Sequence, residues 1–314
     1  MGHREQQLDE ISEAAGGWFR VREVEPGIWL LAEPPHVNTW LVVGSDRAAL
    51  IDSGLGVRPI RPVVEAITDL PVLVVNTHSH FDHIGGNHEF DQILIHPDGV
   101  ARVANDVPRE LLREYIEYAE EMERSLPSYL AADRKFFFSL AAADQPRKFP
   151  VSLDNNTWQI PGSSANGVLR DGYVVDLGGR TLRAIATPGH SPDHVALLLE
   201  PDGVLFAGDA VSTGAIYVQW PESDIESFAN SAERLAGLAS DVHVVLVHHW
   251  LRYATLPFFL REVADGAHDL LSGRANFRPN RDCAGQSVRE AVFDEFSIFL
   301  PGEEMVNESE GVGR

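Results

Sequence analysis

The segment THSHFDHIGG, residues 77–86, places three histidines and an aspartate within a run of six residues. It follows the apolar run PVLVV, which is typical of a buried strand, and it ends on two glycines that let the backbone turn closely. Imidazole nitrogens and carboxylate oxygens are common ligands of metal ions in proteins. The motif therefore predicts a metal site on a loop that follows a strand, with His78, His80, Asp82 and His83 as candidate ligands.

The spacing of these residues favours two metal ions over one. His78 and His80 alternate along the chain and can face one cavity, whereas the adjacent Asp82 and His83 can turn toward a neighbouring point. One ion does not easily accommodate all four side chains, but two ions about 3.5–4 Å apart would. The only cysteine, Cys283, excludes thiolate-rich zinc sites, so the remaining ligands are expected to be histidines and carboxylates.

Composition narrows the choice of partners and location. The chain has 314 residues, with 25 basic against 47 acidic side chains and a formal net charge of −22. Such a surface repels phosphate backbones and anionic lipid, which argues against nucleic acid and membranes as partners. The sequence has no apolar run long enough to span a bilayer and no apolar N-terminal segment like that of a signal peptide. With a single cysteine, these features predict a cytoplasmic protein.

Alternating strand-like and helix-like segments predict an α/β fold. Apolar strand-like runs recur between Ile28 and Pro97, and again between Tyr173 and Trp250. Helix-like stretches separate them, and a further one runs from Pro257 to about Leu271. The helical spacing of apolar residues in PRELLREYIEYAEEMERSL predicts a helical insert within residues 101–170. This order suits two sheets that pack face to face, each covered by helices.

Several blocks of the sequence, taken together with the histidine motif, resemble the metallo-β-lactamase-fold hydrolase superfamily. In family order, they are NTWLVVGSDRAALIDSG, THSHFDHIGG, TPGHSPDH, LFAGDA and VVLVHHW. The resemblance implies a four-layer αββα sandwich with a helical insertion and a C-terminal helical extension. It predicts one domain over residues 18–273, including the insert at about 101–170, and an extension and tail over residues 274–314.

The resemblance also implies a set of metal ligands. One ion would be held by His78, His80 and His190, and the other by Asp82, His83 and a last histidine, with Asp209 bridging the two. Where the family usually has Gly-His, this chain has His248-His249. Aligning His248 with the glycine makes His249 the ligand and leaves His248 for packing or for hydrogen bonding to a ligand. The implied cofactors are two Zn²⁺ ions per chain, and iron or manganese would suit the same side chains.

Other polar and aromatic residues are candidates for supporting roles, each with a plainer alternative. Asp52 either orients a ligand of the first metal loop or is an ordinary turn aspartate. His194 either reaches the mouth of the site or only begins a strand. Tyr217 and Trp220 either line the substrate pocket or pack in the core. The remaining histidines are interpreted as structural, namely His3, His36, His88, His96, His243 and His268.

The implied activity is hydrolysis of a small-molecule ester, thioester, lactone or related bond by a hydroxide held between two zinc ions. Asp82 and Asp209 would be the catalytic carboxylates, because they fix and bridge the metals. A glyoxalase-II-like thioesterase and a lactonase both remain open. Two alternatives are a mononuclear iron sulfur-dioxygenase on the same fold and a non-catalytic scaffold, although the scaffold should have lost ligands that this chain retains. The insert also offers a surface for a homodimer.

Overall fold

The computed structural model describes residues 16–34, 36–120, 124, 157–249, 252–282 and 285–302. His3, Cys283, most of residues 121–156 and the tail after residue 302 lie outside the described residues. The strands are β1 Arg20–Glu25, β2 Ile28–Glu33, β3 Val37–Val43, β4 Ala48–Ile51, β5 Val72–Val75, β6 Ile93–Ile95, β7 Gly167–Val168, β8 Val174–Asp176, β9 Thr181–Ala186, β10 Val195–Glu200, β11 Val204–Phe206, β12 Ala215–Tyr217, β13 Val244–Leu246, β14 Ala254–Thr255, β15 Phe277–Arg281, β16 Ser287–Val292 and β17 Ser297–Pro301. The helices are α1 Arg61–Ile67, α2 Phe81–Ile84, α3 Val100–Val103, α4 at 109–120, α5 Ile225–Ala236 and α6 Phe258–Leu271, with 3₁₀ turns at Asn87–Glu89 and Pro97–Gly99.

The first sheet contains seven strands in the order β1-β2-β3-β4-β5-β6-β7. Its first four strands are antiparallel neighbours, whereas β4, β5, β6 and β7 run parallel. The run AALI of β4 is buried throughout, as expected for a central strand that is covered on both faces. Because Ile51 pairs with Val75, β4 and β5 end side by side, and the loops that follow them begin at the same edge.

The second sheet has the order β14-β13-β11-β10-β9-β8 and packs face to face against the first. Trp40 and Ile51 of the first sheet share a buried apolar cluster with Leu197 and Phe206 of the second. The Trp40 ring meets the Phe206 ring edge-on, with 5.9 Å between the centroids. These contacts form the central core, and they place the ends of β9, β11 and β13 opposite the ends of β4 and β5.

Helices cover the outer faces of both sheets. Val63 and Val64 of α1 pack on the outer face of the first sheet. Helices α5 and α6 cover the second sheet, with Phe228 and Phe259 fully buried against it. The predicted αββα layering is therefore confirmed. Among the described residues, no helix combines the length and apolar character needed to cross a membrane.

The insert is only partly described. Its helix α4 has the predicted apolar spacing and packs Leu112, Tyr115 and Ile116 against Leu55 and Trp158. Residues 157–170 are not helical; they return to the first sheet as the short strand β7, which pairs with β6. The helical part of the insert prediction therefore holds for α4, while its last residues extend the sheet.

The C-terminal region contains a third sheet that the sequence analysis did not assign. The expected helix after Pro257 is present as α6, but β15, β16 and β17 follow it and pair with β12 in the order β12-β17-β16-β15. The extension is thus a sheet rather than further helix. Its segments are short, and β17 pairs with a strand more than 70 residues earlier in the chain, so no local hairpin pattern marks this pairing.

Candidate metal centre

Four loops bring the predicted metal ligands together at one edge of the sandwich. The motif loop follows β5, and His190, Asp209 and His249 follow β9, β11 and β13. The backbone of the motif loop packs closely against the loop that follows β4. A Cβ atom at Gly85 would lie only 2.2 Å from the carbonyl carbon of Leu55. The first of the two glycines that end the motif is therefore required by this close approach.

The first group of candidate ligands is His78, His80 and His190. One ligand atom from each lies within 4.8 Å of the others. His190 Nε2 is 2.9 Å from His80 Nδ1. His78 Nδ1 lies 3.0 Å from the Thr77 hydroxyl, whereas its Nε2 atom is buried without a hydrogen-bond partner. Burial lowers the pKa of His78 well below its ordinary value, so the ring is neutral. Because the Thr77 hydroxyl donates to Asp52 Oδ2, it accepts from His78 Nδ1–H, which leaves the lone pair on Nε2.

The second group is Asp82, His83 and His249, whose ligand atoms also lie within 4.8 Å of one another. The Nε2 atoms of His83 and His249 are 3.3 Å apart. Asp82 Oδ2 lies 3.8 Å from His83 Nε2 and 3.6 Å from His249 Nε2.

The carboxylate of Asp209 stands between the two groups. Its Oδ1 atom is 3.3 Å from His83 Nε2, and its Oδ2 atom is 3.4 Å from His190 Nε2 and 3.2 Å from His249 Nε2. Burial alone would raise the pKa of Asp209, but the imidazoles of His249, His83 and His190 outweigh it and hold the pKa well below the ordinary range. Asp209 is therefore an ionised carboxylate that faces both groups.

The chemistry of this donor set fits metal ions. The Nδ1 atoms of His83 and His190 donate hydrogen bonds to Asp52 Oδ2 and to the Tyr217 carbonyl. Their Nε2 atoms therefore face other imidazole nitrogens and the Asp209 carboxylate. Burial alone would lower the pKa of His83, but the carboxylates of Asp209, Asp52 and Asp82 outweigh it and raise the pKa, which shows that this cluster favours a positive charge. Imidazole and carboxylate ligands suit zinc, iron and manganese.

Asp52 joins the end of β4 to the motif loop. Its carboxylate accepts hydrogen bonds from the Thr77 amide at 2.7 Å, from the Thr77 hydroxyl at 2.8 Å and from His83 Nδ1 at 2.7 Å. Its backbone lies in the left-handed region, with φ 61°. Burial would raise its pKa, but the neighbouring His83 outweighs burial and the pKa is lowered. Asp52 thus fixes which nitrogen of His83 faces the cluster, and its contacts are those expected for the first of the two roles left open above.

His248 and His249 point in different directions, as adjacent residues of an extended segment do. His249 joins Asp82 and His83, whereas His248 Nε2 lies 3.3 Å from Asp52 Oδ2 on the buried side. Burial lowers the pKa of His248 to about 4, so its ring is neutral near pH 7. The geometry groups His249, and not His248, with the candidate ligands.

His194 lies behind Asp209 rather than at the mouth of the site. Its Nε2 atom accepts a hydrogen bond from the Asp209 amide at 2.9 Å, and its Nδ1 atom pairs with the Thr187 hydroxyl at 2.7 Å. Burial lowers its pKa to about 3, which keeps Nε2 available as an acceptor. The ring occupies the space beside Gly208, where a Cβ atom would lie 2.3 Å from Nε2.

Glu222 was not identified from the sequence. Its Oε1 atom lies 3.5 Å from His80 Nε2 and 2.9 Å from Arg102 Nη2. The hydrogen bond to His80, followed by that to Arg102, lowers the pKa of Glu222. The carboxylate therefore stabilises the tautomer of His80 that leaves Nδ1 free. A glutamate in the loop after β12 gives no sequence signal for this role.

The two groups lie at the floor of a cavity of about 700 Å³. Helix α4 contributes Leu111 and Tyr115 to one wall, and Tyr217 and Trp220 also line the cavity. His36, interpreted from the sequence as structural, also lines the cavity, with its ring centroid 5.0 Å from that of His249.

The other described histidines make contacts away from the two groups of candidate ligands. His88 Nδ1 lies 3.1 Å from the Gly85 carbonyl, and His96 accepts the Asp98 amide in a 3₁₀ turn. His243 pairs with Glu25, and His268 with Glu233.

These features define an αββα protein with a candidate metal centre, and comparison with known proteins identifies its family. The model of the Metallo-beta-lactamase superfamily matches residues 32–248, and the chain belongs to that superfamily. The acyl-coenzyme A thioesterase MBLAC2 of Homo sapiens is 28% identical over 70% of this chain and 76% of its own length.

Two further proteins are similar to this chain, one in sequence and one in structure. The hydroxyacylglutathione hydrolase of Francisella tularensis subsp. novicida is 33% identical over 32% of this chain and 40% of its own length. The crystal structure of a metallo-beta-lactamase family protein from Thermus thermophilus is 25% identical, covers 80% of each chain and has a TM-score of 0.51. The family model ends at residue 248, so β15, β16 and β17 of the third sheet lie outside it, whereas β12 lies within it.

Proposed function

We propose that the chain is a hydrolase that holds two zinc ions and cleaves acyl thioesters or related ester and lactone bonds of small molecules. The observation that carries the proposal is the buried Asp209 carboxylate, which faces both groups of ligands at the floor of an open cavity. One ion would be held by His78, His80 and His190. The other would be held by Asp82, His83 and His249, with Asp209 shared.

When bound, such a pair of ions supplies a hydroxide nucleophile near neutral pH and polarises the oxygen of the bond under attack. The chain's own residues keep the ligands in the required protonation state. Asp52 and the Tyr217 carbonyl occupy the Nδ1–H groups of His83 and His190, so that Nε2 faces inward in both. His194 fixes the Asp209 backbone from behind.

The walls of the cavity support an apolar acyl group as the part of the substrate that is bound. Leu111, Phe81 and Trp220 line the cavity together with tyrosines of α4 and β12. The guanidinium of Arg102 also lines the cavity, but it already forms an ion pair with Glu222, with 2.9 Å between Nη2 and Oε1. One relative is a thioesterase by name and another is a hydrolase of hydroxyacylglutathione, which supports a thioester among the bonds considered.

The test is metal analysis of the protein as purified, followed by hydrolysis of a panel of acyl thioesters, esters, lactones and a β-lactam by zinc-loaded protein, with oxygen consumption by the iron-loaded protein followed in parallel. We expect thioesters or esters with apolar acyl groups to be hydrolysed and no oxygen to be consumed. Asp209→Ala should abolish turnover, whereas Asp69→Ala, which removes an exposed aspartate, should leave it unchanged.

Two results would contradict the proposal. Unchanged turnover in Asp209→Ala would exclude the shared carboxylate. One iron per chain with oxygen consumption would instead favour the mononuclear sulfur-dioxygenase.

A further inference from the structure

The orientation of His190 depends on a single backbone carbonyl. His190 Nδ1 donates a hydrogen bond of 2.6 Å to the carbonyl oxygen of Tyr217. A histidine that binds metal through Nε2 needs a fixed acceptor for its Nδ1–H group, because that bond sets both the tautomer and the direction of the ring. The position of the Tyr217 carbonyl therefore sets the orientation of one ligand in the first group, His190.

The Tyr217 carbonyl is held by the C-terminal sheet. Tyr217 ends β12, a strand of three residues at the edge of that sheet, and it pairs in register with Phe299 of β17. The next amide, that of Val218, donates a 3.0 Å hydrogen bond to the Phe299 carbonyl. At the other end of the pairing, the Ser297 amide donates to the Gly214 carbonyl at 3.1 Å.

The side chains reinforce this pairing. The rings of Tyr217 and Phe299 are stacked, with centroids 5.1 Å apart and planes 12° from parallel. Phe299 is buried, with 5% of its surface exposed. The hydroxyl of Tyr217 lies 3.1 Å from that of Tyr118 on α4, so the ring is also held at its far end.

We infer that strand β17, acting through Phe299, positions His190 for metal binding. The inference rests on the proposed metal site and adds a role for a segment that lies outside the family match. Phe299 belongs neither to the two groups of candidate ligands nor to the residues that line the cavity, so it is a positioning residue that acts through Tyr217. Its neighbours Ile298 and Leu300 instead belong to the core beneath α6.

Phe299→Ala tests the inference, with Leu300→Ala as the matched control. Both substitutions truncate a buried side chain of the same strand, but only the first removes the ring beneath Tyr217. The measurement is zinc affinity, from competition with a chromophoric chelator. We expect wild type to bind two ions and Phe299→Ala to bind one of them about ten-fold more weakly, at the lower end of the effect of losing a ligand's hydrogen-bonding partner. Leu300→Ala should bind both as wild type does.

A second measurement reports on His190 directly. In histidine NMR spectra of the zinc-loaded proteins, the Nδ1–H proton of His190 should move upfield in Phe299→Ala and stay unchanged in Leu300→Ala, because its hydrogen bond to Tyr217 weakens. Where Phe299→Ala does not fold, Phe299→Leu keeps the strand filled but removes the stacked ring, and it should show the same two changes.

The outcomes separate this inference from the proposed function. If the Phe299 variants bind each of the two ions as tightly as wild type does, the inference is overturned and the proposed function is left intact. An equal loss of affinity in Leu300→Ala would also overturn it, since general loosening of the sheet would then explain the effect. A wild-type protein that binds no zinc would remove the proposed function and the inference with it.

Discussion

Replacing Glu33 by glutamine should remove a dependence of stability on pH that burial of this carboxyl creates. Glu33 is 3% exposed and accepts hydrogen bonds from the Trp18 indole at 2.8 Å and from the Leu55 amide at 2.7 Å. Burial raises its pKa from 4.5 to about 7, and the two hydrogen bonds only partly oppose this. The carboxyl supports the loop after β4, which leads from Asp52 to Leu55.

The sign and size of the effect follow from the pKa. The folded state holds the proton more tightly than the unfolded state, so the stabilisation is complete below pH 4.5 and is lost as the pH rises through about 7. One pKa unit corresponds to about 1.4 kcal/mol, so the full change in the free energy of unfolding is about 3 kcal/mol.

The assay is chemical denaturation of wild type and Glu33→Gln at several pH values from 5 to 8.5. The glutamine amide must face one of the two N–H donors, so at low pH the variant is less stable than wild type by about 1–3 kcal/mol, and glutamine itself does not titrate. The stability of wild type relative to Glu33→Gln should therefore fall by about 3 kcal/mol as the pH rises, so that the initial advantage of wild type disappears or is reversed. Glu65→Gln, which alters an exposed glutamate of α1, is the control and should show no such trend. A constant difference between wild type and Glu33→Gln would refute the reasoning.

Two further predictions concern the candidate ligands and their supports. Asp52→Asn replaces the carboxylate that accepts the His83 Nδ1–H hydrogen bond with a weaker, uncharged partner. Zinc affinity, measured by competition with a chelator, should therefore fall about 10- to 100-fold. An unchanged affinity would contradict the role of Asp52. His249→Ala should leave one ion per chain by elemental analysis, whereas His248→Ala should retain two but unfold more easily, because a fully buried ring is lost. The reverse pattern would exchange the assignments of the two histidines.

The sequence was sufficient for the layers of the fold and for the loops that carry the cluster. Continuous apolar runs such as those of β4 and β5 are local signals, and parallel strands necessarily present their ends at one edge. The histidine motif and the blocks around His190, Asp209 and His249 then indicated which loops should converge.

The supporting contacts were less visible, because they depend on pairing between distant segments. Phe299 meets Tyr217 only after β12 and β17 have come together, and β12 is only three residues long. Glu222 reaches His80 across a loop without regular structure. His36 belongs to no motif in the sequence and yet its ring lies near that of His249, because its neighbour Val37 forms a bridge with that residue.

The most direct test of the central claim is anomalous diffraction at the zinc edge from crystals of the zinc-loaded wild-type protein. The proposal predicts two peaks about 3.5–4 Å apart, one among His78, His80 and His190 and the other among Asp82, His83 and His249, with Asp209 between them. A single peak, or zinc bound away from these side chains, would contradict a two-metal centre.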